Sequence, residues 1–116
     1  MNYSFPKLCR LRKSWEFEQV WKMGCKLHTP HFILLLAENS IGRSRLGLTV
    51  SRKVGNAVMR NRVKRHVREF FRHKCKDFSV SVDFSVVAKR GAASLSNSDT
   101  HAELQRALEF KGHLNG

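Results

Sequence analysis

Between Ser51 and Arg72 the sequence gathers Arg52, Lys53, Arg60, Arg62, Lys64, Arg65, Arg68 and Arg72 around a single acid, Glu69. Arginine at this density is suited to phosphate chemistry, because its planar fork donates two hydrogen bonds at once, while Lys64 adds a point charge. The spacing decides how these groups are displayed. With residues 57 to 75 placed at intervals of about 100°, Met59, Val63, Val67, Phe70 and Phe71 fall within an arc of about 120°. Measured from Val63, the residues Lys64, Arg68, Asn61, Arg72, Arg65 and Arg62 occupy the arc from about 100° to about 260°. One side of such a helix packs and the other presents cations.

The whole chain shows the same asymmetry. It has 116 residues and a net charge of +13, from 22 Lys and Arg against 9 Asp and Glu. Residues 1–42 hold six basic and three acidic residues, residues 43–76 twelve and one, and residues 77–116 four and five. A Lys/Arg run is ordinarily a solvated face. Eleven uncompensated charges in the middle third repel one another, however, so a polyanionic partner is expected, and nucleic acid fits better than a membrane surface. The length suits one domain over residues 1–116 with a modest core, flexible at 1–12 and 111–116. The longest apolar run, Phe32 to Ala37, is too short to span a bilayer, and the N-terminus carries no signal-peptide pattern, so a cytoplasmic protein is expected. Cys9, Cys25 and Cys75 are odd in number and unpaired in spacing, which reads as reduced thiols.

Other groups offer less. No Cys-x-x-Cys or compact His/Cys cluster has zinc spacing; His28 and His31 flank a proline, and His73 and Cys75 diverge near a helix end. Asp77 and Asp83 stand alone, as capping or solvated acids usually do. No acidic pair, Ser-His-Asp or Cys-His arrangement suggests hydrolysis by the protein itself, so neither catalytic residue nor protein-ligated metal is assigned. Any magnesium would enter with the phosphates of a nucleic-acid partner and keep most of its hydration shell. A DNA-binding helix-turn-helix is disfavoured, since no short helix precedes the basic one at the required spacing.

The elements that must position the cations can be read from periodicity. A first helix is expected from Ser14 to Gly24, capped by Ser14, with Phe17, Val20 and Trp21 at i, i+3 and i+4. Strands are expected at Phe32 to Glu38, Arg45 to Ser51 and within Val80 to Lys89, with a short fourth near Lys26 to Thr29. The loop Ser51 to Ala57 leads into the basic helix, which Asn56 can cap, and its free amide groups can attract phosphate. Ser94 to Ser98 reads as a polar connector. A last helix then runs from about Asp99 to Phe110, with Thr100 and Glu103 as a capping box and Leu104, Ala107 and Leu108 as its stripe.

The run from Val50 to Arg65, centred on Arg60-Asn61-Arg62, resembles the signature of the bacterial ribonuclease P protein subunit. The match joins a strand, the Gly55-Asn56-Ala57 loop, the Arg-Asn-Arg motif and a basic helix continuing through Arg68. It extends to the aromatic first helix, the Ala88-Lys89-Arg90 strand end and the closing helix. The resemblance implies an α+β fold: a two-layer α/β sandwich with a mixed four-stranded sheet and three helices, in the order α-β-β-β-α-β-α, with a left-handed crossover through the basic helix. It implies a subunit of an endoribonuclease in which RNA carries the magnesium-dependent chemistry and the 5′ leader of precursor tRNA is removed. Arg52, Lys53, Asn56, Arg60, Asn61, Arg62, Lys64, Arg65 and Arg68 would then face the catalytic RNA. Phe17, Trp21, Lys89 and Arg90 would hold the leader. Stacking on aromatic rings tolerates any base, as a processing enzyme requires, although spacing alone makes Phe17 and Trp21 a buried stripe. Leu35 departs from relatives with an aromatic at that strand position, so the cleft floor is expected to meet the leader differently. The alternative is a noncatalytic RNA-binding protein of ribosomal or chaperone type, which would share the charge but not a leader cleft.

Overall fold

The structure, a computed structural model, describes residues 25–75 and 81–110. The expected first helix, with Phe17 and Trp21, lies outside these residues, as do Cys9, Asp77 and both expected flexible ends. Strands β1 (Cys25–His28), β2 (Phe32–Glu38) and β3 (Arg45–Thr49) precede helix α1 (Ala57–Lys74). Strand β4 (Val82–Ala88), a 3-10 turn (Ala92–Ser94) and helix α2 (Asn97–Phe110) follow. The sheet order is β1-β2-β4-β3, with β3 parallel to β4 and the other pairs antiparallel. This is the mixed four-stranded α+β architecture expected above, with two helices among the described residues. Parallel β3 and β4 need a long connection, and α1 provides it.

Alternation along the strands decides where the core lies. Phe32, Leu34 and Leu36 of β2, Leu46 of β3, and Val82, Phe84 and Val86 of β4 join one buried cluster. Val63, Val67, Phe70 and Phe71 of α1 and Leu104 and Leu108 of α2 close it. The rings of Phe71 and Phe84 stack with centroids 6.2 Å apart, tying α1 to the sheet. Residues one step out of phase, Leu35, Ala37 and Val87, pack together separately. Leu35, the strand position where some relatives carry an aromatic, is 1% exposed and packs with Ala37 and Val87.

Two ends differ from expectation for local reasons. Strand β3 stops at Thr49, two residues early, because the Ser51 carbonyl accepts the Val54 amide in a turn. The connector is shorter than expected, since Ala92 and Ala93 are buried in the 3-10 turn and α2 already begins at Asn97. The capping box of Thr100 and Glu103 does not form. Ser96 Oγ instead accepts the Asp99 amide at 3.0 Å, and buried Thr100 donates both its amide and its hydroxyl to the Ser96 carbonyl.

Asp83, His66 and His101 set polar groups against the core, and the buried His66 Nδ1 has no hydrogen-bond partner among the described residues. Asp83, expected to be solvated or capping, is buried and accepts from Arg45 Nε and Nη2 at 2.8 Å each, and from Asn39 Nδ2 at 2.9 Å. His66 is buried on α1, and its carbonyl accepts from His101 Nε2 of α2 at 3.1 Å. His101 also sets its ring edge-on to Phe70 at 5.6 Å. Burial, then the neighbouring Arg65 charge, pulls the His66 imidazole below its ordinary value; burial likewise lowers His101, with the His66 carbonyl opposing.

The sign of the resulting pH dependence follows from proton counting. An unfolded histidine binds its proton near pH 6.5, whereas these two resist protonation until lower pH in the fold. The unfolded chain therefore holds more protons in that window, so stability rises with pH and is lost as the pH drops. Stability is full above pH 6.5 and declines below it, and replacing His66 or His101 by Gln flattens the decline. Urea midpoints at pH 7.5 and pH 5.5 check this; equal midpoints for the parent chain would contradict it.

Candidate nucleic-acid interface

Helix α1 begins where the sequence places a cap. Asn56 Oδ1 accepts the Met59 amide at 2.9 Å, and the Asn56 carbonyl accepts the Arg60 amide. Gly55 has φ 156°, a conformation that L side chains rarely adopt, and a Cβ there would also press on Met59, 2.8 Å from its Sδ. The first turn holds no acid, and the last turn carries Arg72, His73 and Lys74 against the negative end of the helix dipole.

The helix then displays its charge as the 100° spacing requires. Asn61, Arg62 and Arg65 are exposed, whereas Lys64, Arg68 and Arg72 on the same arc are half-buried. Arg52 and Lys53, in the loop before α1, are exposed as well. Arg60 sits nearer the core: it is half-buried, and its Nε is enclosed without a hydrogen-bond partner among the described residues. Long cationic stems often cover apolar surface in this way while the head reaches outward. Asn56 spends its side-chain oxygen on the cap, which leaves its amide nitrogen for a ligand.

The leader residues are placed unevenly. Phe17 and Trp21 lie outside the described residues. Lys89 and Arg90 follow β4 directly, Arg90 exposed and Lys89 half-buried with Nζ donating to the Thr29 carbonyl at 2.7 Å. Gly91 turns the chain away at φ 89°, a left-handed conformation that favours glycine.

Two acids, Glu103 and Asp83, are committed to protein donors. Glu103 of α2 accepts the Thr29 hydroxyl at 2.6 Å and the His31 amide at 2.9 Å on Oε2, and its Oε1 lies 2.8 Å from His31 Nδ1. Burial opposes this carboxylate, but the Thr29 and His31 hydrogen bonds outweigh it and hold Glu103 below its ordinary value. Asp83 is likewise taken by Arg45. Among the described residues no three His, Cys, Asp or Glu side chains converge as metal ligands. Sequence reading missed both acid clusters and His66. His66 was recoverable, because it falls about 60° from Val63 on the helical wheel. The acid pairings, each joining residues far apart in the chain, left no local signal.

Comparison with known proteins bears on this arrangement. The family model described as Ribonuclease P matches residues 5–111. The ribonuclease P protein component of Geotalea uraniireducens is 45% identical over 93% of this chain and 95% of that protein. That of Desulfosudis oleivorans is 44% identical over 91% and 84%. Among solved structures, the RNase P protein of Staphylococcus aureus superposes with a TM-score of 0.82 at 30% identity, covering 92% of this chain and 98% of that one. The Thermotoga maritima RNase P protein gives 0.77 at 30% identity, covering 92% and 98%.

The exposed cations of α1 carry a direct test. Arg62→Ala and Arg65→Ala are each expected to weaken RNA binding and to reduce the slope of log K against log salt by roughly 0.7–1, since one phosphate contact is lost. Folding stability should stay within about 0.5 kcal/mol, as both side chains face solvent. Binding titrations between low and moderate salt read the slope, and an unchanged slope would remove that residue from phosphate contact.

Proposed function

The chain belongs to the ribonuclease P protein family, and from that premise we propose that it binds the catalytic RNA through α1 and the 5′ leader of precursor tRNA elsewhere. In this role it assists removal of the leader to form the mature tRNA 5′ end. The observation that carries this reading is the Arg60-Asn61-Arg62 turn of α1, set between a dry apolar face and an outward row of cations. Guanidinium groups on successive turns can follow a folded RNA backbone and neutralise closely spaced phosphates.

The chemistry belongs to the RNA in this account. Asp83 and Glu103 are each satisfied by protein partners, so they do not form the convergent acidic pair that two-metal hydrolysis requires. Magnesium binds between RNA phosphates, and the protein lowers the amount needed by supplying part of the neutralising charge. Arg52, Lys53, Asn56, Arg60, Asn61, Arg62, Lys64, Arg65 and Arg68 make up the docking surface. Phe17 and Trp21 offer stacking faces to leader bases, and Lys89 and Arg90 meet the leader backbone. The partners are the catalytic RNA and precursor tRNA, with neither DNA nor membrane, and the reaction takes place in the cytoplasm.

Two outcomes test the division of labour. The purified chain alone should leave precursor tRNA intact, and adding it to its catalytic RNA should tighten substrate binding and lower the magnesium needed for cleavage. Cleavage by the RNA-free protein would overturn the assignment. Phe17→Leu or Trp21→Leu should weaken precursor binding by about 1–3 kcal/mol, the worth of one stacked base, with little change for mature tRNA. Equal losses on both RNAs would exclude leader contact.

A further inference from the structure

The β1–β2 turn, the end of β4 and α2 meet in a cluster for which docking through α1 has no use. Glu103 grips the turn by one carboxylate, which accepts from Thr29 Oγ1 and the His31 amide and lies 2.8 Å from His31 Nδ1. A carboxylate only accepts, so His31 Nδ1 carries the hydrogen. The variable proton of the ring is therefore the one on Nε2. Neutral, that nitrogen presents a lone pair; protonated, it presents an N–H.

The opposite ring edge, with this nitrogen, lies on the side of the ring away from the Nδ1 contact with Glu103. The Glu103 side chain is 15% exposed and that of His31 30%, so the acid is the inner partner and the imidazole the outer one. The Cδ2–Nε2 edge of the ring runs beside Gly91, where a Cβ would sit 3.4 Å from Cδ2 and 3.8 Å from Nε2. The same turn is fastened to the residues after β4: the His31 carbonyl accepts the Lys89 amide at 2.9 Å, and the Thr29 carbonyl accepts Lys89 Nζ. Arg90 comes next and is exposed.

We propose that His31 is a further RNA ligand, its Nε2–H donating to a phosphodiester oxygen beside Arg90 when the imidazolium is held by Glu103. The proposal rests on the leader-binding reading of Lys89 and Arg90. The charged or titratable groups on β1, on α2 and after β4 are Cys25, Lys26 and His28, then Asp99, His101, Glu103, Arg106 and Glu109, then Lys89 and Arg90, and of these Glu103 touches the ring. Glu103 would repel a phosphate if left bare, and a protonated His31 stands between the two negative charges. A neutral ring would instead turn a lone pair toward the phosphate, so the contact switches with one proton. Coupling is reciprocal: RNA that prefers the protonated ring must raise the proton affinity of that ring by the same factor.

The full chain, labelled with 13C at histidine Cε1, is titrated with acid in the presence and absence of a single-stranded RNA oligonucleotide, the His31 signal being assigned from its loss in His31→Gln. Saturating RNA should raise the His31 midpoint by about 0.5–1 pH unit, equivalent to three- to tenfold tighter binding of the protonated form. An unmoved midpoint overturns the proposal. In the reconstituted holoenzyme, His31→Gln should remove the tightening of RNA binding between pH 8 and pH 6. Loss for precursor but not mature tRNA assigns the phosphodiester to the leader, and loss in assembly assigns it to the catalytic RNA. If His31→Gln lowers stability alike at both pH values and leaves both binding curves unaltered, the residue is structural and the proposal fails. Arg90→Ala separates the premise: no effect on precursor affinity defeats the leader reading, whereas a weakening with His31→Gln silent defeats only the histidine.

Discussion

Helix α1 has to reconcile two demands on one set of residues. Its apolar side, Val63, Val67, Phe70 and Phe71, is the part of the core that closes the sheet, and its other side gathers cations that repel one another. Repulsion among exposed charges is screened by water and salt over about 10 Å, whereas fully burying a large apolar side chain contributes about 1.5–3 kcal/mol. Burial therefore wins, and the helix holds its charges in place before any partner arrives. That order matters for binding a polyanion, because a preformed helix leaves only side-chain rotamers, and no backbone, to be ordered on docking.

The second layer of organisation is polar and long-range. Arg45 with Asp83 pins β3 to β4 at one end of the sheet, and Glu103 with Thr29 and His31 fastens α2 to the β1–β2 turn at the other. Each acid is surrounded by donors, so neither is left as an uncompensated buried charge, the arrangement that destabilises most. The same pairings withdraw both carboxylates from catalysis. The exposed face of α1 and the loop before it present Arg52, Lys53, Asn61, Arg62 and Arg65, while the exposed acids Glu38, Asp99 and Glu109 lie on other elements.

Much of this was legible in the residue pattern. The apolar run from Phe32 to Ala37, closed by Glu38, located β2 to the residue, and the helical wheel separated the core and cationic faces of α1. The Asn56 cap was visible because capping depends on the residue three positions away. The start of α2 was missed because Ser96, rather than Thr100, captured the first amide, a choice between neighbouring hydroxyls that depends on Thr100 being buried. Glu103 was misread for the same reason: its partners lie more than 70 residues earlier, and only the fold brings them together. Placement of the cations was legible; the condition of each, such as the enclosed Nε of Arg60 or the occupied ammonium of Lys89, depended on packing.

The central claim is that α1 is the docking face for the catalytic RNA while the end of β4 serves the leader. Ultraviolet crosslinking of the reconstituted holoenzyme bound to precursor tRNA, followed by mass spectrometry of the RNA-bearing peptides, tests it most directly. The account predicts catalytic-RNA adducts on peptides spanning residues 60–72 and leader adducts on those containing Lys89 and Arg90. Leader adducts concentrated on α1, or an α1 free of adducts in the assembled particle, would contradict it.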